Sequence, residues 1–318
     1  MLATAGPAEI GLSQRERLLA RLRDSGVPMR RTAPEVQLVA VRPEAEQLPE
    51  QLPERPPGRP VGKAPELRWD KTRLDVVQKV WGKGFIAPGG KKTILGLVEP
   101  LGLKRGMRVL DLGAGLGGPA RVLAKRFGAR VTGLEADRRL AEAGRALSSR
   151  AVLPSKASIH SLAQRHEVLA PGAFDRIFSK DVLFTVRDKA RLLAVAEALL
   201  ADGGRMLFVD YVVAADGRQT PGVEAWVAAD PARPTPWSVE DYIEALTGLG
   251  LSLRIDDITG ETRRAINGAW ADFLARRRRP SLDRRAAQML LDEARLWSRR
   301  AKLLRTGELR ACRIVAER

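Results

Sequence analysis

The sequence has few of the residues from which redox and metal sites are built. Cys312 is the only cysteine, which excludes a disulfide within the chain and a cysteine-based zinc site. Histidine occurs only at positions 160 and 166, too sparsely for a histidine-rich metal centre, so no metal is expected. No run of about 18 apolar residues exists, so nothing reads as a membrane span. The opening M-L-A-T-A-G-P-A-E-I lacks a charged stretch followed by an apolar core. It is no secretory signal, and a cytoplasmic protein is expected. Aromatic residues make up 5 % of the chain without a base-stacking pattern, which argues against a nucleic-acid partner. Acidic residues are also short, with 38 against 55 Lys and Arg, for a net charge of +17. That balance favours anionic partners, such as a phosphorylated small molecule or anionic lipid head groups. The alternative is an arginine-rich solvated surface. At 318 residues and 44 % hydrophobic, the chain can bury a sizeable core.

What stands out is V-L-D-L-G-A-G-L-G-G, Val109 to Gly118. Arg108-Val109-Leu110 ends a short apolar strand, and Gly113, Gly115 and Gly117 let backbone amides approach a ligand closely. Pro119 suits a first helical turn, and Val122, Leu123 and Phe127 recur at helical spacing. Strand, glycine turn and helix N-terminus together make a nucleotide-type pocket. Gly113, Gly115 and Gly118 also satisfy G-x-G-x-x-G, which keeps a nicotinamide or flavin site open. Two acids favour another ligand. Asp111 stands where a diphosphate site has an apolar residue, and a carboxylate there suits a cationic ligand without phosphate. Glu135 ends the next strand, about 20 residues beyond the turn, where ribose hydroxyls are read.

D-L-G-A-G-L-G-G with V-T-G-L-E-A-D closely resembles the first two motifs of class I S-adenosyl-L-methionine methyltransferases. The resemblance implies an α/β fold: a Rossmann-like seven-stranded sheet, an N-terminal helical lid and a helical insertion before the last strand. W-G-K-G-F-I-A-P-G-G, F-D-R-I-F-S-K-D-V-L-F-T and L-L-A-D-G-G-R-M-L-F-V-D-Y are similar to the lid, fourth-strand and fifth-strand stretches of phosphoethanolamine N-methyltransferases and related small-amine enzymes. By that likeness the cofactor is held by Ile86, Gly90, Asp111, Gly113, Gly115, Gly117, Glu135, Ala136 and Lys180. Asp181 and Tyr211 become catalytic, and Trp69, Thr185, Tyr211 and Arg233 face the acceptor. Thr185 replaces the family's catalytic histidine, and Trp69 falls at or near its tyrosine partner. The acid that normally follows the third strand to hold the adenine amine is also absent; Ser161 and Gln164 are the nearest polar residues.

The rest of the chain fits around this centre. Residues 1–41 form an extension with a helix at 13–25, opened by the capping box Ser13/Glu16 and closed by Gly26. Its arginines cover one side and Leu18, Leu19 and Leu22 the other. It either folds back on the domain or makes a peripheral membrane contact. Residues 42–66 hold seven of the 20 prolines and read as a linker. The methyltransferase domain then spans 67–318: lid 67–105, core 106–259, helical insertion 260–306, last strand 307–318. The fifth strand is expected at Arg205–Val213, after the turn Ala201–Gly204, and the sixth at Leu251–Ile258. The insertion carries four arginines at 276–279, which solvate a helix end or touch phosphates, and its second helix is expected from Leu282. An amine acceptor needs only to lose a proton, so N-methylation is the expected activity. A lipid head-group methyltransferase and a SAM-binding protein that modifies RNA or protein, or lacks turnover, are the alternatives.

Overall fold

A computed structural model describes residues 69–162, 169–214, 220–276 and 282–318. The expected helix at 13–25, the linker at 42–66, Gln164, His166 and the arginines at 277–279 lie outside them.

Two helices lead into the sheet. The first, α1 (Lys71–Trp81), is capped by Asp70, whose side chain accepts from the Arg73 amide at 2.9 Å. Its Val76, Val77, Val80 and Trp81 are buried. A glycine-rich loop then connects to α2 (Gly90–Leu97). Strand β1 (Arg108–Leu112) begins an alternation of strands and helices: α3 (Gly118–Phe127), β2 (Arg130–Glu135), α4 (Arg138–Arg150) and β3 (Ala157–Ser161). It continues through β4 (Phe174–Lys180), α5 (Lys189–Leu199), β5 (Leu200–Val213), α6 (Pro221–Ala229), β6 (Trp237–Ser238), α7 (Val239–Thr247) and β7 (Ser252–Asp257). Helices α8 (Thr259–Ala275) and α9 (Arg284–Thr306) precede the last strand, β8 (Arg310–Glu317).

The sheet order is β3-β2-β1-β4-β5-β8-β7, with β8 antiparallel to both neighbours and the other pairings parallel. Consecutive strand residues feed opposite faces: Val109, Phe178 and Leu207 enter one core, while Leu110, Ile177 and Phe208 enter the other. Helices thus cover both faces, as a parallel sheet requires. The chain winds outward from β1 to β3 and then restarts at β4 on β1's other side. The crevice of an open α/β sheet lies at such a switch point, beyond the carboxyl ends of the strands.

Three details differ from the sequence expectation. An eighth strand, β6, adds a two-residue parallel pairing, Val212 with Trp237 and Val213 with Ser238; so short a pairing leaves no periodicity to read. Strand β5 begins at Leu200 rather than Arg205, because the expected turn is absorbed as an irregularity at Gly203 (φ +65°). Helix α9 begins at Arg284 rather than Leu282, because Asp283 is its cap and accepts from the Ala286 amide at 2.7 Å.

Candidate active site

The glycine turn forms where the sequence places it. The Gly113 and Ala114 amides both donate to Leu134 O, at 2.8 and 3.0 Å, which ties the turn to β2. Gly113 has φ +72°, and a Cβ there would lie 2.3 Å from Val182 Cγ2. The position therefore excludes every other residue twice over, by backbone and by space. Gly117 is the left-handed N-cap of α3, with Pro119 in the first turn. Ile86 from the lid loop covers Gly115, 3.0 Å from where a Cβ would stand. Gly90 opens α2 with φ +61° and open space around it.

Two carboxylates meet at this turn. Glu135 accepts from the Gly115 amide at 2.7 Å and from the Asp137 amide at 2.9 Å. Burial raises its pKa against those hydrogen bonds and that of the exposed Ala136 amide. Asp111 is buried, and its Oδ2 has no hydrogen-bond partner. Burial, with the Glu135 charge nearby, pushes its carboxyl up to about 7. A buried acceptor without a donor beside a second acid is costly unless a ligand supplies positive charge or a donor. A cationic, hydroxyl-bearing ligand fits; a diphosphate does not. Farther along the strand ends, Ser161 is buried with its hydroxyl unpartnered.

On the other side of β1 lies a polar and aromatic cluster. Lys180 and Asp181 pair with each other at the end of β4, and Asp181 sits in the left-handed region (φ +57°). Strained non-glycine backbone of this kind is concentrated at functional sites. Tyr211 is buried with no partner for its hydroxyl, and burial raises its pKa well above the usual value. Phe184 meets Tyr211 edge-on at 5.3 Å and stacks on Trp226 at 5.9 Å. Asp210, its carboxyl pushed up to about 7 by burial, holds this wall. It accepts from the Phe184 amide at 3.0 Å and the Tyr242 hydroxyl at 2.6 Å.

Helix α9 closes the cluster. Arg300 lies 5.0 Å from the Phe184 ring and 5.8 Å from Tyr211, and its guanidinium binds Asp230 at 2.7 Å. Trp226 donates to the same Asp230 at 2.8 Å. Glu293, about two turns earlier, accepts from Trp81 at 3.1 Å, from Trp297 at 2.7 Å and from Arg73 at 3.1 Å. Helix α1 is thereby joined to α9.

Of the residues expected in the site, the structure brings Asp111, Gly113, Gly115, Gly117, Glu135 and Ile86 together at the turn. Lys180, Asp181 and Tyr211 gather at the neighbouring strand ends. Three others stand apart in their contacts. Thr185 spends its hydroxyl on Val182 O at 2.7 Å. Trp69 stacks with Arg73 at 5.0 Å, before α1. Arg233 is exposed, with φ +52°. Sequence reasoning missed Val182, Asp210, Asp230, Glu293 and Arg300. The spacing of Trp226 and Asp230, or of Glu293 and Trp297, was visible as helical neighbours. Their partners on other elements were not. Among the described residues no group of three or more His, Cys, Asp or Glu could hold a metal ion, and no helix is long and apolar enough to cross a membrane.

Fold and site together define an open α/β protein with a nucleoside-type crevice at its switch point. A methyltransferase-domain family model matches residues 90–254, just over half of the chain. The chain belongs to that family. Phosphoethanolamine N-methyltransferase 1 of Arabidopsis thaliana is 28 % identical over 134 residues, covering 42 % of this chain and 27 % of that protein. The chain thus spans about a quarter of that relative's length. Methyltransferase GfsG of Streptomyces halstedii is 29 % identical over 181 residues, covering 56 % of this chain and 65 % of the relative. Among solved structures, Haemonchus contortus phosphoethanolamine N-methyltransferase 2, in complex with phosphomonomethylethanolamine and S-adenosylhomocysteine, superposes with a TM-score of 0.63 at 20 % identity. That match covers 77 % of this chain and 56 % of the other, and it shows a shared fold.

Proposed function

We propose that the chain is an S-adenosyl-L-methionine-dependent methyltransferase that methylates the nitrogen of a small amine. The buried Asp111 carboxylate beside Glu135, with its Oδ2 unpartnered, carries this reading. When bound, the cofactor supplies a methyl group already activated on a sulfonium. Asp111 answers its positive charge. Glu135, although three backbone amides use it, retains a lone pair for ribose hydroxyls. The Ser161 hydroxyl is free to meet the adenine amine in place of the missing acid. Ile86 and Val182 cover the glycine turn and would exclude water, which matters where in-line placement is most of the catalysis.

On the acceptor side, Tyr211 supplies an unspent hydroxyl to orient the substrate. Asp181 offers a carboxylate that can accept the amine proton and release it to solvent. The half-buried Lys180 and the buried Arg300, the cations beside Asp181 and Tyr211, are each paired with a carboxylate, whereas the buried Lys189 near Asp210 donates to neutral oxygens of Val186 and Thr235. With the two cations nearest Tyr211 spent on carboxylates, the reading favours an amine that carries no phosphate. Calorimetry with S-adenosylhomocysteine, and mass spectrometry of an amine panel for products gaining one methyl, test it. Saturable binding lost in Asp111→Ala, with methylated amine formed, is the expected result. Binding of NADH in place of S-adenosylhomocysteine would sink the proposal.

A further inference from the structure

A second cavity, of about 590 Å³, opens on the outer side of the lid loop, between α3, the C-terminal end of α4 and α2. Six cationic residues line it: Lys83, Lys91, Arg121, Lys125, Arg126 and Arg150. No carboxylate lines it, and none of the six forms an ion pair with a described acid. Five of them are exposed, as solvated charges usually are. Arg121 is different. It is half-buried, and that burial, with no acid to offset it, lowers its pKa to about 10. The guanidinium stays charged at neutral pH. Its hydrogen bonds go from Nη1 to neutral oxygens, Leu116 O at 2.7 Å, Ser148 Oγ at 3.4 Å and Gly144 O at 3.5 Å. A guanidinium that has lost much of its water is normally found with a counter-charge, and here the counter-charge is missing from the protein.

The cavity wall is also the lid. Arg121 Nη2 lies beneath Gly84, 2.1 Å from where a Cβ would stand, and the Phe85 ring lies 2.8 Å from the equivalent point on Gly118. Lys83 stands in the loop and Lys91 in the first turn of α2, so the two lid cations flank Ile86, which covers Gly115. The other four cations belong to the core helices. A multivalent anion in this cavity would contact both sets and hold the loop against α3.

We propose that this cavity binds a phosphate-ester anion, a soluble phosphorylated molecule or a phospholipid head group, and that the bound anion clasps the lid loop to the core. Bidentate and charge-assisted hydrogen bonds from guanidinium and ammonium groups suit phosphate oxygens. The volume admits a group larger than a single phosphate. The site lies outside the cofactor crevice, and binding there does not depend on the identity of the methyl acceptor.

The test uses the full chain and inorganic pyrophosphate, titrated by calorimetry at constant ionic strength set with chloride. Saturable one-to-one binding is expected, weakened at least about tenfold in Lys125→Glu/Arg150→Glu. Both residues are exposed and hold nothing else in place. The same charge change on α9, Arg299→Glu/Arg305→Glu, is expected to alter affinity by less than about twofold. Pyrophosphate should also slow tryptic cleavage after Lys83 and Lys91 in the wild type but not in the first variant. Co-sedimentation with phosphatidylcholine vesicles, with and without phosphatidic acid, separates the sources. Phosphatidate-dependent sedimentation lost in Lys125→Glu/Arg150→Glu assigns the lipid, and its absence alongside pyrophosphate binding assigns the soluble ester. Non-saturable binding, an equal loss in the α9 control, or unchanged tryptic cleavage would overturn the proposal. None of these measurements needs methyl transfer, so failure here leaves the cofactor reading standing, and the converse holds.

Discussion

The two sides of the crevice are built in different ways. The cofactor side, from β1 to β3 with α3 and α4, is made by residues close in sequence. Asp111, the glycine turn and Glu135 lie within one strand-turn-helix-strand unit. Their contacts are mostly backbone amides on carboxylates and carbonyls. The acceptor side is assembled from α1, the ends of β4 and β5, α6 and α9, separated by up to 220 residues, as in the Arg73–Glu293 bond. It is held by side chain against side chain, buried charge against buried charge. A local unit tolerates change elsewhere in the chain. A long-range assembly concentrates its dependence on a few pairs.

The largest effect expected from that contrast is at Asp230. Asp230→Ala leaves Arg300 buried without a counter-charge, a loss of about 3–5 kcal/mol by urea denaturation. S-adenosylhomocysteine affinity of the folded fraction should change by less than about threefold, since the sites share no partner. A matching loss of cofactor affinity would mean that the two sides act as one. Next comes Gly113→Ala. Left-handed backbone costs a residue with a Cβ about 1–2 kcal/mol, and crowding against Val182 adds about 1–3 kcal/mol. Cofactor binding should become undetectable by calorimetry. An ordinary isotherm would remove the turn from the site.

A smaller effect concerns pH. The folded-state pKa of Asp111 is raised from 3.8 to about 7, so ionising it weakens the fold. Its favourable share is complete below about pH 4 and is lost as the pH rises through about 7. In the free protein, Asp111→Asn should flatten that part of the stability profile and raise the melting temperature at pH 8. Cofactor affinity should fall. Asp210, raised to about 7 on the other side, should retain its own share of the slope. An unchanged profile would mean that Asp111 is not the buried acid described. The smallest effects distinguish the two unpartnered hydroxyls. Ser161→Ala and Tyr211→Phe should each alter stability by less than about 0.5 kcal/mol. Ser161→Ala should weaken the cofactor by the worth of one hydrogen bond, about 0.5–1.5 kcal/mol. Tyr211→Phe should instead raise the acceptor KM and leave cofactor affinity alone. The reverse pattern would exchange the roles of the two sides.

The same contrast sets how much could be read in advance. The strand at Val109, the glycines after it, Pro119 at the start of α3 and Glu135 ending β2 were legible, because each is fixed by neighbours within a few residues. The β3 strand was faint, since only Ala157, Ile159 and Ser161 of its five residues are buried. The start of α9 and the irregularity at Gly203 turned on a cap and a bulge, each a matter of one or two residues. Trp81 looked like lid material, yet its indole is fastened to Glu293 and packs edge-on against Trp297 at 4.8 Å. Nothing near Trp81 in the chain announces those partners.

What the order of residues decided alone is the strand at Val109, the acid-lined glycine turn and the helix entry at Pro119, because strand period, turn chemistry and helix entry are local properties of the backbone. Only the folded chain decided that Asp111 has no counter-charge, that Arg300 has one and Arg121 does not, and that α1 and α9 form one wall. Those are matters of which charges lose their water together, and burial is a property of the whole packing.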